Sequence, residues 1–181
     1  LNTESVIENE EHFTASLERR LVAAERFVKT GGRVAFHFHP MVHYHGWDTD
    51  YPRIAERLAS LFDPDQVAFL SMGSVTFIKP VMKQIRERGE PTRILQSEFV
   101  ADAHGKLTYP DALKVQMFRT MYRALGHWHG RVFMYLCMER ASIWDQAFGW
   151  RYPSNEEFER AFGVATLGWP PGRDISQGQK V

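Results

Sequence analysis

Cysteine is nearly absent from this 181-residue sequence, which contains only Cys137. A single thiol excludes an intramolecular disulfide and any metal site that needs several cysteines of this chain. It also makes a reducing cytoplasm the expected location. Long apolar runs are absent too, since no stretch approaches the roughly 20 consecutive apolar residues of a membrane-spanning helix. The first residues do not follow the basic-then-apolar order of a signal peptide. The sequence therefore predicts neither membrane insertion nor export.

The sequence also lacks an excess of either charge, with 22 Lys and Arg against 22 Asp and Glu. Balanced charge gives no general attraction to phosphate backbones, so nucleic-acid binding would depend on a local basic patch. The hydrophobic share of 44 % and the charged share of 24 % are ordinary for one globular domain. The first residue is Leu1 and not Met, and we expect the chain to be part of a longer protein.

Helix and strand patterns alternate along the chain. Apolar spacing and cap residues predict helices at 15–30, from Asp50 and Pro52 to 61, at 80–88, 110–125 and 143–148, and after Ser154. Short β-branched and aromatic runs predict strands at 33–39, 67–71, 93–99 and 131–137, and Gly105 predicts a small hairpin. The pattern indicates an α/β fold with four parallel strands, either doubly wound or part of a (β/α) barrel. We expect the domain to span 1–162, with a Gly- and Pro-rich tail at 163–181.

Both architectures place the active site at the carboxyl ends of the strands. His37 and His39 alternate along the first predicted strand and therefore share a face, with His43 and His45 in the loop after it. With a further ligand such as Glu98, His104 or Glu139, this cluster predicts the metal site of a hydrolase. The alternative is that these histidines form hydrogen bonds without binding a metal.

Three other groups of residues have a functional and a purely structural interpretation. Cys137 closes the last strand and is either a hydrogen-atom donor or nucleophile, or a buried inert thiol. Glu98 follows the third predicted strand and is a candidate catalytic carboxylate. Aromatic residues including Tyr44 and Trp47 could stack on a flat ligand such as a nucleobase, or could belong to the core.

Four strings, taken in order, resemble a known family. They are FHFHPMVHYHGWDTDY, VAFLSMGSVTF, ILQSEFV and MYLCMERASIWDQAFGW. This series is similar to the carboxyl-terminal half of radical S-adenosylmethionine proteins of the spore photoproduct lyase family, also described as DNA repair photolyases. The resemblance covers roughly residues 1 to 165. It implies that this chain supplies the later strands of a partial (β/α) barrel.

The resemblance also implies a [4Fe-4S] cluster that cleaves S-adenosylmethionine, and DNA with a thymine-dimer photoproduct as substrate. By the same resemblance, S-adenosylmethionine would be bound by Asn2, His37, His39, Ser71 and Gly73. Glu98, Glu139, Tyr44 and Trp47 would shape the substrate side. The cluster motif C-x3-C-x2-C of the family is absent, so we expect the cluster to come from an amino-terminal half outside this chain.

Two other hypotheses remain open from the sequence. One is the metal-dependent hydrolase with His37 and His39 as first ligands. The other is a non-catalytic half-domain that folds against a partner segment, because an open sheet usually needs cover at its edges.

Overall fold

A computed structural model of the protein describes residues 1–89 and 91–167. Helices and strands alternate along these residues in the order α1 (Glu4–Glu10), α2 (Leu17–Lys29), β1 (Val34–Met41), α3 (Trp47–Leu61), β2 (Val67–Ser74), β3 (Thr76–Phe77), α4 (Lys79–Arg88), β4 (Val100–Ala101), β5 (Leu107–Thr108), α5 (Asp111–Ala124), β6 (Phe133–Leu136), α6 (Ala141–Phe148) and α7 (Asn155–Leu167). None of these helices is long and apolar enough to cross a membrane.

The main sheet is parallel, with strand order β1-β2-β6. The α/β class and the parallel strands are therefore confirmed, but within residues 1–89 and 91–167 the sheet has three strands and not the predicted four. Strand β2 is central, and its residues pair with β1 on one side and with β6 on the other. Helices α3 and α5 lie in the connections between these strands, as a parallel sheet requires.

The prediction of a strand at 93–99 is wrong. Residues Ile94–Gln96 form a 3-10 turn. The cause is a contact with α1, which is distant in sequence. The Glu10 carboxylate accepts hydrogen bonds from the backbone N of Arg93 at 2.5 Å and from the Thr92 hydroxyl at 2.8 Å. A backbone amide bonded to a side chain is not available for a strand ladder.

The predicted hairpin at Gly105 is present. Strand β5 pairs antiparallel with both β3 and β4 to form a small second sheet. The Asp102 carboxylate accepts from the backbone N of His104 and of Lys106, each at 2.8 Å, and Gly105 has φ +75°. These side-chain bonds close the turn, and Gly adopts the left-handed backbone at position 105 without strain.

Most predicted helices are present with small shifts at their ends. Helix α3 begins at Trp47 instead of Asp50, because Trp47 and Tyr51 bury their rings one turn apart. Ser154 precedes α7 as predicted, and its hydroxyl accepts from the backbone N of Glu157 at 3.2 Å. Helix α7 continues to Leu167, so the first residues of the predicted tail are helical, whereas 168–181 lie outside the described residues. Helix α1 was not predicted.

The two faces of the parallel sheet are different. One face is buried and consists of Phe36 and Phe38 on β1, followed by Leu70, Met72, Met134 and Leu136 on the other strands. The ring of Phe36 packs on Trp128 and that of Phe38 on Tyr51, which join this face to the helical layer. The core therefore lies on this side, and the opposite face is available for polar residues.

Candidate functional site

Toward the amino ends of the strands the opposite face carries Ala35, Phe69 and Phe133, on which α7 packs. Its remaining part, which we call the open face, consists of His37, His39, Ser71, Gly73, Tyr135 and Cys137. In the strand register His37 pairs with Ser71, and Ser71 pairs with Tyr135. These three side chains form one row across the sheet. Closer to the carboxyl ends, Gly73 contacts His39, and the backbone N of Cys137 donates to Met72 O at 2.7 Å. The fold thus brings the predicted residues His37, His39, Ser71 and Gly73 to one face of the sheet, and Cys137 lies on the same face.

Hydrogen bonds connect the middle row. The Nδ1 atom of His37 lies 2.6 Å from Ser71 Oγ, and Ser71 also hydrogen-bonds the side chain of Tyr135. Burial raises the pKa of Tyr135 above its usual range, and the bond from Ser71 opposes that shift.

Both histidines of the open face are exposed residues held in their neutral form. Partial desolvation lowers the pKa of His37, and nearby positive charge, including that of His39, lowers it further. Desolvation likewise lowers the pKa of His39. Neutral imidazoles at physiological pH can accept hydrogen bonds, so this face suits a ligand with donor groups or a positive charge.

Gly73 allows the His39 ring to lie against the sheet. A Cβ atom at position 73 would come within 2.6 Å of the His39 ring, closer than such atoms approach one another. The absence of a side chain therefore leaves room for a ring, or for a ligand, directly over the backbone of β2.

Asn2, the first of the predicted cofactor-binding residues, is buried with a complete set of hydrogen bonds. Its Nδ2 group donates to Pro40 O at 3.0 Å and to Glu11 Oε1 at 3.1 Å. Its Oδ1 atom accepts from Tyr51 OH at 2.6 Å and from the Thr3 backbone N at 3.2 Å. Because an amide side chain has two donor hydrogens and two acceptor sites, none is left for a ligand. In this structure Asn2 joins α1, α3 and the end of β1.

Two predicted substrate-binding residues, Tyr44 and Trp47, belong to the core, with 2 % and 5 % of their surface exposed. The Tyr44 hydroxyl lies 2.7 Å from Asp50 Oδ2 and 2.8 Å from Thr3 Oγ1. Burial raises the pKa of Tyr44. The structure therefore assigns both rings to packing, which was the alternative interpretation of these aromatics.

Glu139 lies at the carboxyl end of β6, but its carboxylate is already paired. Lys114 Nζ on α5 lies 2.7 Å from Glu139 Oε2, and Ser74 Oγ at the end of β2 donates to Oε1 at 3.2 Å. The side chains of Lys114 and Glu139 are 9 % and 7 % exposed. This buried ion pair neutralises Glu139, and it joins α5 to the edge of the sheet. Lys114 was not among the predicted site residues.

Glu98 and Cys137 have very different surroundings. Glu98 is exposed in the segment that the structure shows not to be a strand, so the reason for placing it at a strand end no longer holds. Cys137 is half-buried beside Tyr135. Burial, followed by the nearby Glu139 charge, raises the pKa of the Cys137 thiol. A protonated thiol is a poor nucleophile but retains a hydrogen atom.

The predicted metal site is incomplete. His37 and His39 share the open face as expected, yet within residues 1–89 and 91–167 no group of three His, Cys, Asp or Glu side chains could hold a metal ion. Two imidazoles alone do not form the three-ligand site of a metal-dependent hydrolase.

A pocket of about 530 Å³ opens next to Cys137. We call it the β6 pocket; its lining includes Tyr135, Cys137, Met138, Glu139, Trp144, Arg151, Tyr152, Asn155 and Phe158. Its first wall is the end of β6, and its other walls are α6 and the start of α7. The sequence did not predict that these residues lie together, although the density of aromatics between 135 and 158 was a usable signal.

The fold and this site define an α/β domain with a polar sheet face next to the carboxyl ends of its strands. The family model described as spore photoproduct lyase matches residues 1–110. The chain therefore belongs to the spore photoproduct lyase family, a family of lyases, as the resemblance implied. Among curated proteins none matches the sequence.

Solved structures of spore photoproduct lyase have the same fold. The lyase complexed with dinucleoside spore photoproduct matches with a TM-score of 0.62 and 24 % identity, over 76 % of this chain and 43 % of that chain. A cysteine-to-alanine variant of the lyase matches with a TM-score of 0.65 and 23 % identity, with the same coverage. The chain thus spans less than half the length of the solved lyases that it matches.

Proposed function

We propose that this chain is the carboxyl-terminal part of a radical S-adenosylmethionine enzyme that repairs thymine-dimer photoproducts in DNA. In this proposal β1, β2 and β6 are the later strands of a partial (β/α) barrel, and their open face points into its interior. The observation that carries the proposal is the open face itself, where His37, Ser71 and Tyr135 form one row and His39 lies over Gly73. Family membership supports the reaction class.

The contacts of residues 1 and 2 support the barrel. The Leu1 backbone N donates to His37 O, and the Asn2 amide donates to Pro40 O. Both acceptors belong to β1, whose other edge is paired with β2. Residues 1 and 2 thus occupy the side of β1 where the end of a preceding barrel strand would lie.

The residues of the open face fit S-adenosylmethionine better than they fit a metal ion. Neutral imidazoles of His37 and His39 can accept hydrogen bonds from ribose or amino groups, and the missing side chain of Gly73 permits a close approach to the backbone. When bound beside a reduced cluster, S-adenosylmethionine would supply the hydrogen-abstracting chemistry of the proposed reaction. The cluster does not fit this chain, which has one cysteine, and must be held by a segment outside it.

The remaining side chains have defined tasks under this proposal. Ser71 orients His37, and Tyr135 at the end of the same row limits how deep a ligand can enter. The protonated thiol of Cys137 is available as a hydrogen-atom donor at the edge of the face. Glu139, neutralised by Lys114, adds no negative charge that would repel a DNA phosphate.

The test uses the natural gene product that contains this chain, purified under anaerobic conditions. We expect an intact mass larger than that of the 181-residue chain, iron-sulfur absorbance, and 5′-deoxyadenosine after addition of reductant and S-adenosylmethionine. With dinucleoside spore photoproduct as substrate, thymine dinucleotide should appear. His37→Ala should lower the yield of 5′-deoxyadenosine about tenfold or more, as expected for the loss of an orienting group.

The matched control is His12→Ala, because His12 is an exposed histidine away from the sheet. It should leave the yield unchanged. A natural product of only this chain, or a protein with a cluster that forms no 5′-deoxyadenosine, would overturn the proposal.

A further inference from the structure

The β6 pocket is not part of the segment that the family model matches. Every residue that lines it lies between 135 and 158, whereas the family match ends at 110. It nevertheless shares Tyr135 and Cys137 with the open face. A ligand in this pocket would therefore lie beside the proposed reaction site without occupying the S-adenosylmethionine side.

Aromatic rings form the walls of the pocket. Trp144 and Tyr152 meet edge to face with centroids 5.9 Å apart, and Phe158 meets Tyr152 at 5.4 Å and Tyr135 at 5.5 Å. The volume of about 530 Å³ lies within the range of small-ligand sites, about 300 to 1,000 Å³. These rings pack against one another, and the partly exposed rings of Tyr152 and Phe158 offer a surface on which a planar heteroaromatic group can stack, as every nucleobase can.

The charges at the pocket favour a ligand with one negative group. Among the described residues that line it, Arg151 and Glu139 carry charge. The Glu139 carboxylate is paired with Lys114 at 2.7 Å, so it does not repel an anion. The Arg151 guanidinium is half-exposed and forms only a solvent-exposed ion pair with Asp145 at 3.4 Å. Such a pair contributes little free energy, so the guanidinium can turn to a phosphate at small cost.

The mouth of the pocket has an unusual backbone feature. Met138 has φ +57° and an exposed fraction of 76 %, directly between Cys137 and Glu139. A methionine in the left-handed region is strained, and here its apolar side chain stays at the rim instead of packing in the core. A flexible thioether at the rim can close over the face of a flat ring.

We propose that the β6 pocket binds one nucleotide of a DNA strand, with the base on the exposed surface of Tyr152 and Phe158 and its phosphate on Arg151. This inference rests on the proposed action on DNA. It adds a nucleotide subsite, built by α6 and α7, next to the site of repair. A free mononucleotide has the same chemistry, and the test separates the two sources.

The experiment measures binding without reductant, cluster or S-adenosylmethionine, so its failure is distinct from failure of the radical reaction. The full chain is titrated with fluorescein-labelled single-stranded oligothymidylate, followed by anisotropy, and with unlabelled oligothymidylate, followed by tryptophan fluorescence. We expect saturable binding with quenching. Arg151→Gln should weaken it about tenfold and reduce the slope of log K against log salt by about 0.7, the value for one phosphate contact on a single strand.

The matched control is Arg131→Gln. Arg131 is exposed to a similar degree, forms a similar ion pair with Asp65, and lies at the amino end of β6, away from the pocket. The Arg131→Gln substitution removes the same charge and should leave the affinity for the oligonucleotide unchanged. Trp144→Phe should abolish the quenching while circular dichroism shows an intact fold.

Equal losses in Arg151→Gln and Arg131→Gln would mean nonspecific attraction and would overturn the pocket assignment. Absence of binding would overturn it as well. Thymidine monophosphate that binds as tightly as the oligonucleotide would overturn the assignment to a DNA strand and assign the pocket to free nucleotides. Much weaker binding of the mononucleotide would support the strand.

Discussion

Asn2 illustrates how one buried side chain can hold several elements together. Its amide bonds reach Pro40, Glu11 and Tyr51, which belong to β1, the α1–α2 loop and α3. Removing the amide leaves the buried Tyr51 hydroxyl without its acceptor and the Pro40 carbonyl without its donor. Unsatisfied buried groups cost about 1 to 3 kcal/mol each.

We therefore predict that Asn2→Ala lowers the free energy of unfolding by about 3 kcal/mol, measured by urea denaturation. Asn9→Ala is the control, because the Asn9 amide makes one bond to Ser5 O within α1. It should change stability by less than about 1 kcal/mol. Equal effects of the two substitutions would contradict the structural role of Asn2.

The histidines of the open face predict a pH dependence of stability. Folding lowers the pKa of His37 and His39 below the ordinary value of 6.5, so the unfolded chain binds more protons than the folded chain as the pH falls through this region. The free energy of unfolding must then decrease as pH falls below about 6.5 toward the folded pKa values. Above that window the contribution is fully present.

Urea denaturation between about pH 7.5 and 5.5 measures this effect together with that of His43 and of the Leu1 amino group, whose pKa values folding also lowers. Carboxylates titrate mostly below that range. The variant His37→Gln, His39→Gln should show a smaller decrease than the parent protein. His12→Gln, for the exposed histidine away from the sheet, should keep the slope of the parent. If the double substitution leaves the pH dependence of the free energy of unfolding unchanged, His37 and His39 are not its cause.

At the scale of elements, the ion pair of Lys114 and Glu139 joins α5 to the carboxyl edge of the sheet. Both side chains are buried, and Glu139 also accepts from Ser74 on β2. Removing one partner leaves the other charge buried without compensation. Replacing both by apolar side chains removes the ion pair and its desolvation cost together.

We predict that Lys114→Met lowers the free energy of unfolding by about 3 to 5 kcal/mol. The double variant Lys114→Met, Glu139→Leu should return to within about 1 kcal/mol of the parent. The exposed pair Lys83 and Glu87 on α4 is the control, and Lys83→Met should change stability little. A double variant as unstable as Lys114→Met would contradict this account.

At the scale of the whole molecule, the two faces of one sheet perform different tasks. The apolar face binds the helical layer through Phe36, Phe38 and their neighbours. The open face keeps its polar residues near the carboxyl ends, while Phe158 and Phe162 of α7 cover Phe133 and Tyr135. Because side chains alternate along each strand, one face of the sheet stabilises the fold and the other carries the proposed site. Helix α7 covers the second face toward the amino ends of the strands and leaves the part near their carboxyl ends open.

The sequence by itself determined every described helix except α1, the strands β1, β2 and β6, and the family. These features depend on local signals: apolar periodicity, caps such as Ser154 before α7, and the alternation that puts His37 and His39 on one face. The order of motif strings, read along the chain, carried the resemblance to the spore photoproduct lyase family that the family model bears out.

Only the tertiary structure decided which of these residues remain available to a ligand. The Glu10 carboxylate prevents a strand at 93–99, and the core takes up Tyr44 and Trp47. Tyr135 hydrogen-bonds Ser71 in the row of His37, and Lys114 forms an ion pair with Glu139. Both contacts join distant parts of the chain. Local patterns encode which way a side chain points, whereas its burial and hydrogen-bond partners depend on segments that meet only after folding.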